Sequence, residues 1–150
     1  MPNVQPRRNA SSPGKADFEA QAEFRYQLRR FLRFSEKLTR AHGVTPLQYQ
    51  LMLQLKGFPG RDWASIAQLA ERLQAKHHGV VALVSRCESL GWVARRPSTS
   101  DARQVEVHLT AAGSRSVGQL AKLHRAELQT LQALLDDLSA FQAGAQRAAA

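Results

Sequence analysis

The sequence lacks several features that would each point to a class of protein. A single cysteine, Cys87, excludes an internal disulfide framework and fits a reducing compartment. No apolar run approaches the roughly 18 residues of a membrane span, and the amino terminus lacks a secretory signal's apolar stretch. The sequence also has no phosphate-binding loop, zinc-protease motif or nucleophile elbow. These absences predict a cytoplasmic protein that is not an enzyme, binds no metal and has no membrane partner.

Acidic residues are scarce relative to basic ones. Asp and Glu number 12 against 21 Lys and Arg, which gives a net charge of +9. Such an excess of positive charge favours polyanionic partners, of which nucleic acid is one. The hydrophobic share of 43% is ordinary for a globular protein, and 150 residues are enough to bury a real core. The chain is therefore expected to be one compact unit with a basic surface.

Helix signals recur along the chain. Apolar residues at helical spacing predict a first helix from Asp17 to about His42, and it carries a run of arginines that is read as a solvated face. Capping boxes begin at Thr45 and Ser65, and each predicts a helix start. The helix after Ser65 and a longer helix over about 76–90 are separated by a short break, and the pair has the size of a helix-turn-helix.

The second helix of this pair is the predicted reader of a DNA major groove. Its apolar positions Val80, Leu83, Val84, Cys87 and Leu90 are expected to face the core, so the opposite face is polar, basic or small. Donors on that face suit base acceptors and phosphates, and small residues permit close approach. The predicted contact residues on this helix are Lys76, His77, His78, Ala82, Ser85 and Arg86.

Two alternating segments, "WVARR" and "VEVHL", predict a β-hairpin around "PSTSDAR". Val105, Val107 and Leu109 are expected to point to one face of the hairpin, with Gln104, Glu106 and His108 on the other. A basic hairpin tip suits a narrow minor groove, where negative potential is concentrated. Asp101 would repel phosphate, so it is expected to orient an arginine such as Arg95 or Arg103. The predicted DNA-contacting residues of the hairpin are Arg95, Arg96, Asp101 and Arg103.

The last segment, from about Ala111 to Phe141, carries a long leucine stripe and is predicted to form one helix or two. A short domain offers limited surface on which to bury such a stripe. Packing against the first helix and against a second copy of the chain is therefore expected. The predicted dimerisation residues are Phe24, Leu28, Phe31, Leu120, Leu128, Leu131, Leu135 and Leu138.

Over about residues 20–140 these patterns resemble the MarR family of bacterial winged-helix transcription regulators. The segments "SIAQLAERLQ", "RCESLGWVARRPS" and "DARQVEVHLTAAG" carry the resemblance. The most specific part is a D-x-R-x₃-V-x-L-T-x₂-G pattern, met by Asp101, Arg103, Val107, Leu109, Thr110 and Gly113. One departure is that Val81 and Ala82 stand where relatives often carry Ser or Thr and Arg, so a target sequence cannot be transferred.

The resemblance implies a homodimer that places two winged helix-turn-helix lobes on a near-palindromic site. It also implies a small-molecule pocket between the dimer region and the lobe. Members of the family often repress their own or adjacent genes, and they release DNA on binding phenolic or other aromatic ligands or on cysteine oxidation. We therefore predict a sequence-specific, ligand-responsive repressor whose partners are duplex DNA, a second copy and an aromatic or phenolic effector, with no other cofactor.

The predicted fold class is mainly α (α+β), a winged helix-turn-helix with N- and C-terminal dimerisation helices. The predicted segments are a disordered basic tail (1–16), an N-terminal dimerisation helix (17–44), a DNA-binding lobe (45–110), C-terminal dimerisation helices (111–142) and a frayed tail (143–150). Two other classes of function fit the same patterns. One is a winged-helix adaptor that contacts proteins, and the other is a low-specificity nucleoid or RNA-binding protein.

Three features have a bland interpretation beside a functional one. His77 and His78 point about 100° apart on a helix with no third ligand at suitable spacing, so groove contact is favoured over metal binding. Cys87 lies on an apolar face and is expected to pack rather than to sense oxidants, although a redox role stays open. A last set is expected to be ordinary core rather than the lining of a ligand pocket: Tyr26, Tyr49, Phe58, Trp63 and Trp92.

Overall fold

The computed structural model describes residues 12–148 and forms five helices and three short strands within that range. The elements are α1 (Lys15–Ala41), α2 (Pro46–Lys56), β1 (Trp63–Ser65), α3 (Ile66–Leu73), α4 (His77–Ser89), β2 (Val93–Pro97), β3 (Val105–Leu109) and α5 (Ala111–Ala148). This order confirms a mainly helical winged helix-turn-helix flanked by two long helices.

The first helix starts earlier than its sequence pattern predicts. The Gly14 amide donates a hydrogen bond of 2.8 Å to the Asp17 carboxylate, which closes the amino-terminal turn and lets α1 begin at Lys15. The prediction that residues 1–16 form a disordered tail is therefore wrong for residues 15 and 16. The part of that prediction covering residues 1–11 lies outside the described residues.

Two capping boxes set the start of the helices that follow. The Thr45 hydroxyl accepts from the Gln48 amide, and the Gln48 side chain accepts from the Thr45 amide, at 3.2 and 2.9 Å. Ser65 and Gln68 repeat this reciprocal pair at 3.2 and 3.0 Å. Both helix starts predicted from the sequence are confirmed, because each box satisfies backbone donors without help from distant residues.

The three strands form one antiparallel sheet in the order β1-β3-β2. Val107 lies at its centre, paired with Ala64 on one side and Arg95 on the other, and its side chain is buried. Burial along β3 does not separate simply into an apolar and a polar face. Val105, next to the hairpin tip, is 40% exposed, whereas Glu106 is buried and accepts a 2.9 Å hydrogen bond from His108.

Two apolar clusters hold the lobe together. The larger one fills the space between α2, α3, α4 and the sheet, and the smaller one joins the turn after α1 to α2 and the first turns of α5. The larger cluster consists of Leu51, Leu55, Ala64, Leu69, Val80, Val84, Cys87, Val93 and Val107. The smaller consists of Val44, Tyr49, Met52, Val117 and Leu120. Leu90, predicted to lie in the core, is 52% exposed because it caps the end of α4.

Leu120 does not have the role predicted for it. Its side chain is 2% exposed within a single protomer, where it packs against the smaller cluster. It therefore has no surface left for a second copy, and its assignment as a dimerisation residue is wrong. The leucine stripe along α5 serves two purposes: its first turns complete the lobe, and only the later turns project beyond it.

The carboxyl-terminal segment is one continuous helix of 38 residues rather than two. The segment contains no proline, and most of its residues favour helix, so nothing breaks the backbone hydrogen bonds. Its length is about 57 Å at 1.5 Å per residue. The prediction of a frayed tail over 143–150 is wrong as far as Ala148, where the described helix ends.

His124 joins α5 to α1 and α2. Its Nδ1 donates to the Leu120 carbonyl at 2.7 Å, and its Nε2 forms a hydrogen bond of 2.8 Å with the Ser35 hydroxyl. The imidazole also stacks on Tyr49, with ring centroids 4.7 Å apart. This buried residue therefore links the two long helices to each other and to α2.

Candidate nucleic-acid interface

The helix pair α3 and α4 has the geometry expected of a helix-turn-helix. Gln74 ends α3 in the left-handed region (φ 49°), and Lys76 is the N-cap of α4, so only three residues separate the helices. Val80, Val84 and Cys87 are fully buried along one side of α4. The opposite side of the helix is thereby turned to solvent.

The amino-terminal half of α4 presents most of the residues predicted to contact DNA. Lys76, His77, His78, Ala82 and Arg86 are all exposed, and open space surrounds Gly79. The helix macrodipole adds partial positive charge at this end, which favours phosphate. This face can donate to acceptors in a groove without rearrangement of the core beneath it.

The hairpin tip is ordered by its own polar groups. The Asp101 carboxylate accepts from the Arg103 amide at 3.0 Å, and the Ser98 hydroxyl accepts from the Asp101 amide at 3.3 Å. The Arg103 guanidinium is exposed and makes no ion pair with any residue between 12 and 148. The prediction that Asp101 orients an arginine side chain is wrong, since its carboxylate fixes the Arg103 backbone instead. Arg96, on the same hairpin, is also exposed.

Arg95 lies against α4 instead of pointing into solvent. Its backbone amide and its guanidinium donate to the two carboxylate oxygens of Glu88, at 2.8 and 2.9 Å. The guanidinium also donates to the Ser85 hydroxyl at 2.9 Å and to the Val81 carbonyl at 3.2 Å. Arg95 and Ser85, both predicted to contact DNA, are therefore engaged with each other in the free protein.

Glu88 is the residue of this region that sequence reasoning missed. The hydrogen bond from the Arg95 amide, together with the guanidinium, holds the pKa of the Glu88 carboxyl below its usual range. The pair is thus intact above the ordinary glutamate pKa and weakens as the pH falls through the lowered value. The sequence did contain a signal for this ion pair: an acidic residue seven positions before an arginine, with the tight turn at Gly91 between them.

The end of the family-like motif has a structural purpose. The Thr110 hydroxyl donates to the Gly91 carbonyl at 2.6 Å and accepts from the Gly113 amide at 3.1 Å, so it caps α5 while joining it to the turn after α4. The Thr110 amide donates to the Trp92 carbonyl at 3.0 Å. A side chain at Gly113 would meet that same carbonyl group. Thr110 and Gly113 therefore anchor the hairpin to α5.

Neither metal binding nor thiol chemistry has support at this interface. Between residues 12 and 148, no three His, Cys, Asp or Glu side chains are grouped so as to hold a metal ion. Burial raises the pKa of the Cys87 thiol to about 11, so almost none of it is thiolate near neutral pH. The cysteine packs in the larger cluster, in agreement with the packing interpretation.

The five aromatic residues weighed as a ligand pocket do not come together. Tyr49 is buried against His124, and Trp92 packs against both clusters. Phe58 and Trp63 both stack with Arg61, whose guanidinium lies 4.7 and 3.7 Å from their ring centroids. Tyr26 is exposed on α1.

The outer face of α1 is strongly basic. A shallow concavity of about 420 Å³ lies along it, lined by Tyr26, Arg29, Arg30, Arg33, Phe34 and Lys37. Only Arg33 of these four cations has a carboxylate within 4 Å among the described residues, at 3.9 Å from Glu36. No helix in the described range is long and apolar enough to cross a membrane.

Known proteins resemble this chain in its helix-turn-helix lobe. A family model described as MarR family matches residues 42–104. A protein of Thauera aromatica, named as a transcriptional regulatory protein for the hcr operon, is 26% identical over 113 residues. That alignment covers 75% of this chain and 66% of the relative, just under two thirds of its length.

Solved structures share the fold over nearly the whole chain. AbsC, a MarR family transcriptional regulator from Streptomyces coelicolor, matches with a TM-score of 0.72 at 20% identity, covering 93% of this chain and 96% of that chain. A mutant of E. coli MarR in complex with operator DNA matches with a TM-score of 0.66 at 18% identity, covering 87% and 93%. The chain is therefore similar to MarR family transcriptional regulators over residues 42–104, and it has the fold of solved MarR family structures over nearly its whole length.

Proposed function

We propose that the protein is a homodimeric, ligand-responsive repressor that binds a near-palindromic operator in the cytoplasm. The observation that carries the DNA-binding part is the hairpin tip, where a fixed backbone presents an exposed Arg103 guanidinium that makes no ion pair within residues 12–148. The exposed amino-terminal half of α4 supplies the second reading surface. The similarity to E. coli MarR, whose structure was solved with operator DNA, supports the same reading.

In the proposed mechanism the net charge of +9 first draws the protein to duplex DNA. Helix α4 then enters the major groove by its amino-terminal end, where Lys76, His77 and His78 contact bases or phosphates. Arg86, exposed in the last turn of the helix, adds a contact farther along the groove. Arg103 enters the adjacent minor groove, which is most negative where A·T-rich sequence narrows it. Repression follows if the occupied site overlaps a promoter, as the family resemblance implies.

Arg103→Ala is expected to weaken binding to the preferred duplex by about 1–3 kcal/mol without lowering stability, because the guanidinium contacts nothing that holds the fold. The probe is a duplex enriched by the wild-type protein from a random-sequence pool, and the affinity is measured by gel shift. Arg125→Ala on α5 is the matched control, since it removes the same charge from another exposed position. Equal losses in both variants would contradict specific use of the hairpin tip.

The homodimer proposal is supported by apolar surface that one protomer leaves uncovered. Several large apolar side chains on the two long helices are more than a third exposed. Monomeric proteins rarely expose large apolar patches, so these side chains suggest a covered surface. They are Phe18, Phe24, Tyr26, Leu28 and Leu32 on α1, and Leu123, Leu128 and Phe141 on α5. Of the other predicted dimerisation residues, Phe31, Leu131, Leu135 and Leu138 are half-buried between the two helices.

For the effector we propose an aromatic acid, bound in the basic concavity of α1. The Tyr26 ring can stack on an arene, and the Arg30 guanidinium lies 5.8 Å from the centroid of that ring. Arg29, Arg33 and Lys37 line the same concavity and can pair with a carboxylate. Because α1 also carries exposed apolar residues of the proposed dimer surface, a ligand there acts on the spacing of the two lobes.

Benzoate is expected to weaken DNA binding at millimolar concentration, whereas benzamide, which has the same shape without the charge, is not. The reason is that the cations of the concavity can pair with the carboxylate of benzoate, whereas the neutral amide of benzamide gains no charge interaction there. Gel shifts across a titration of each compound measure the effect. Arg30→Ala should lose the response and Arg125→Ala should keep it. If benzamide acted as strongly as benzoate, the effector proposal would fail.

The two rival classes are separated by a salt series on the enriched duplex and on random duplex. A regulator should prefer its site by about 10³-fold or more. A low-specificity nucleoid or RNA-binding protein should show only the salt dependence, with no preference. A protein-contacting adaptor should bind neither duplex at modest ionic strength.

A further inference from the structure

We infer that Glu88 and Arg95 form a clamp that positions the hairpin against α4, and that Arg95 is not a DNA contact. This inference rests on the proposed function, because it concerns how the two reading surfaces of the lobe are held in register. Four hydrogen bonds converge on one arginine, from 2.8 to 3.2 Å, and they join β2 to three positions on α4.

The three positions on α4 lie along one flank of the helix. Val81, Ser85 and Glu88 are separated by four and three residues, which is the spacing of neighbours on a helical face. The Arg95 guanidinium contacts all three, while Glu88 also holds the Arg95 backbone. These bonds therefore fix both the position and the rotation of β2 relative to α4 at Arg95.

This flank differs from the side that faces the core and from the side that presents Ala82 and Arg86. The Arg95 side chain is only 28% exposed, in contrast to the free guanidinium of Arg103. A guanidinium that donates to a carboxylate oxygen, a hydroxyl and a carbonyl would have to break those bonds to reach phosphate. The arrangement favours a positioning role over a contact role.

Because the hairpin is long, a small rotation near Arg95 produces a large displacement of the tip. From Arg95 to Ser100, where the tip begins, the chain runs five residues, a reach of at most about 16 Å at roughly 3.3 Å per residue. A rotation of about 10° at the base would displace the tip by about 3 Å, which is as long as the hydrogen bonds the tip must make. Arg103 can meet a groove in register with α4 only if the base is held to a few degrees.

The variant Glu88→Gln tests the clamp, because a positioning role and a DNA-contact role for Arg95 predict opposite changes in DNA affinity. The amide keeps one acceptor oxygen but places an NH₂ group against the donors of Arg95, so the clamp is broken. Removing a negative charge near DNA, or freeing Arg95 to contact phosphate, should tighten binding. Loss of register should instead weaken binding to the enriched duplex by about tenfold, in the range of one good base contact.

A double-mutant cycle with Arg103→Ala separates positioning from general stability. If the clamp works through the tip, Glu88→Gln should have little further effect once Arg103 is removed, and it should abolish minor-groove protection while leaving major-groove protection. A merely structural role would give additive losses and weaken both. Glu71→Gln on α3, exposed and of the same charge change, is the control and should bind as wild type does.

Thermal unfolding of each variant shows whether the lobe is intact. Where Glu88→Gln proves unstable, Arg95→Lys replaces it in the cycle, because lysine keeps the charge but cannot bond to Glu88, Ser85 and Val81 together. If wild-type protein binds no duplex, the proposed function itself fails. If it binds and Glu88→Gln binds equally or more tightly, or the losses add, the clamp is overturned while the proposed function stands.

Discussion

Gly113→Ala is expected to lower the free energy of unfolding by about 3 kcal/mol, the upper end of the usual cost of overpacking. A Cβ at this position would overlap the Trp92 carbonyl oxygen and lie 2.9 Å from its carbon and 3.1 Å from the Leu109 side chain. The obstacle is backbone, so it cannot turn aside as a flexible side chain would. Relief requires α5 to move away from the turn after α4.

That movement would also weaken the bonds that anchor the hairpin. The Trp92 carbonyl accepts from the Thr110 amide at 3.0 Å, and the Thr110 hydroxyl donates to Gly91 at 2.6 Å. We therefore expect the variant to lose DNA affinity as well as stability. At matched protein concentration, calorimetry should show a melting temperature lower by about 6–12 °C for a chain of this size.

Gly118→Ala is the matched control, because it makes the same change in the same helix. No atom lies within 4 Å of a Cβ built there, and the position is exposed. Alanine should stabilise this helix by up to about 1 kcal/mol through its higher helix propensity. If both variants melted together, close packing at Gly113 would not be the reason for glycine in the motif.

Combining Leu32→Asp with Leu128→Asp is expected to convert the proposed dimer to a monomer. Both leucines are about half exposed in one protomer, at 51% and 53%, so the substitutions leave its own packing almost unchanged. Four charges would enter the proposed apolar interface without partners, at a cost of several kcal/mol. Light scattering should then give the chain mass of 16.6 kDa instead of twice that value.

The same variant should bind the enriched duplex more weakly by a factor of about 10²–10⁴, because each lobe then binds its half-site alone. Leu47→Asp with Leu53→Asp supplies the control, since both leucines are exposed on α2. The control should remain dimeric. A double variant on α1 and α5 that stayed dimeric with full affinity would place the interface elsewhere on the molecule.

Features that depend on neighbouring residues could be read from the sequence. The boxes at Thr45 and Ser65 and the hairpin strands need only a few adjacent side chains, and the structure has them where predicted. The sequence pattern placed the start of α1 two residues too late, because Gly14 is a weak capping residue by itself. What fixes it is the Asp17 carboxylate, which reaches back to its amide.

Features that depend on distant contacts could not be read in the same way. A leucine stripe does not reveal which turns meet the same chain, so Leu120 was assigned to the dimer although it fills the lobe. The net charge likewise counts every arginine equally, whether or not its guanidinium is bonded within the protein. Arg95 is engaged by Glu88, while Arg103 is left exposed by a carboxylate that bonds to backbone. Only the folded geometry separates these two arginines.

The sharing of α5 between two cores bears on how this protein can be divided. The stretch that carries the family signature, residues 42–104, ends before β3 and α5. A truncation there would remove Val107, Val117 and Leu120, and would leave Leu51 and Met52 facing water. The signature is therefore not an autonomous folding unit, and the smallest fragment worth expressing must run through His124.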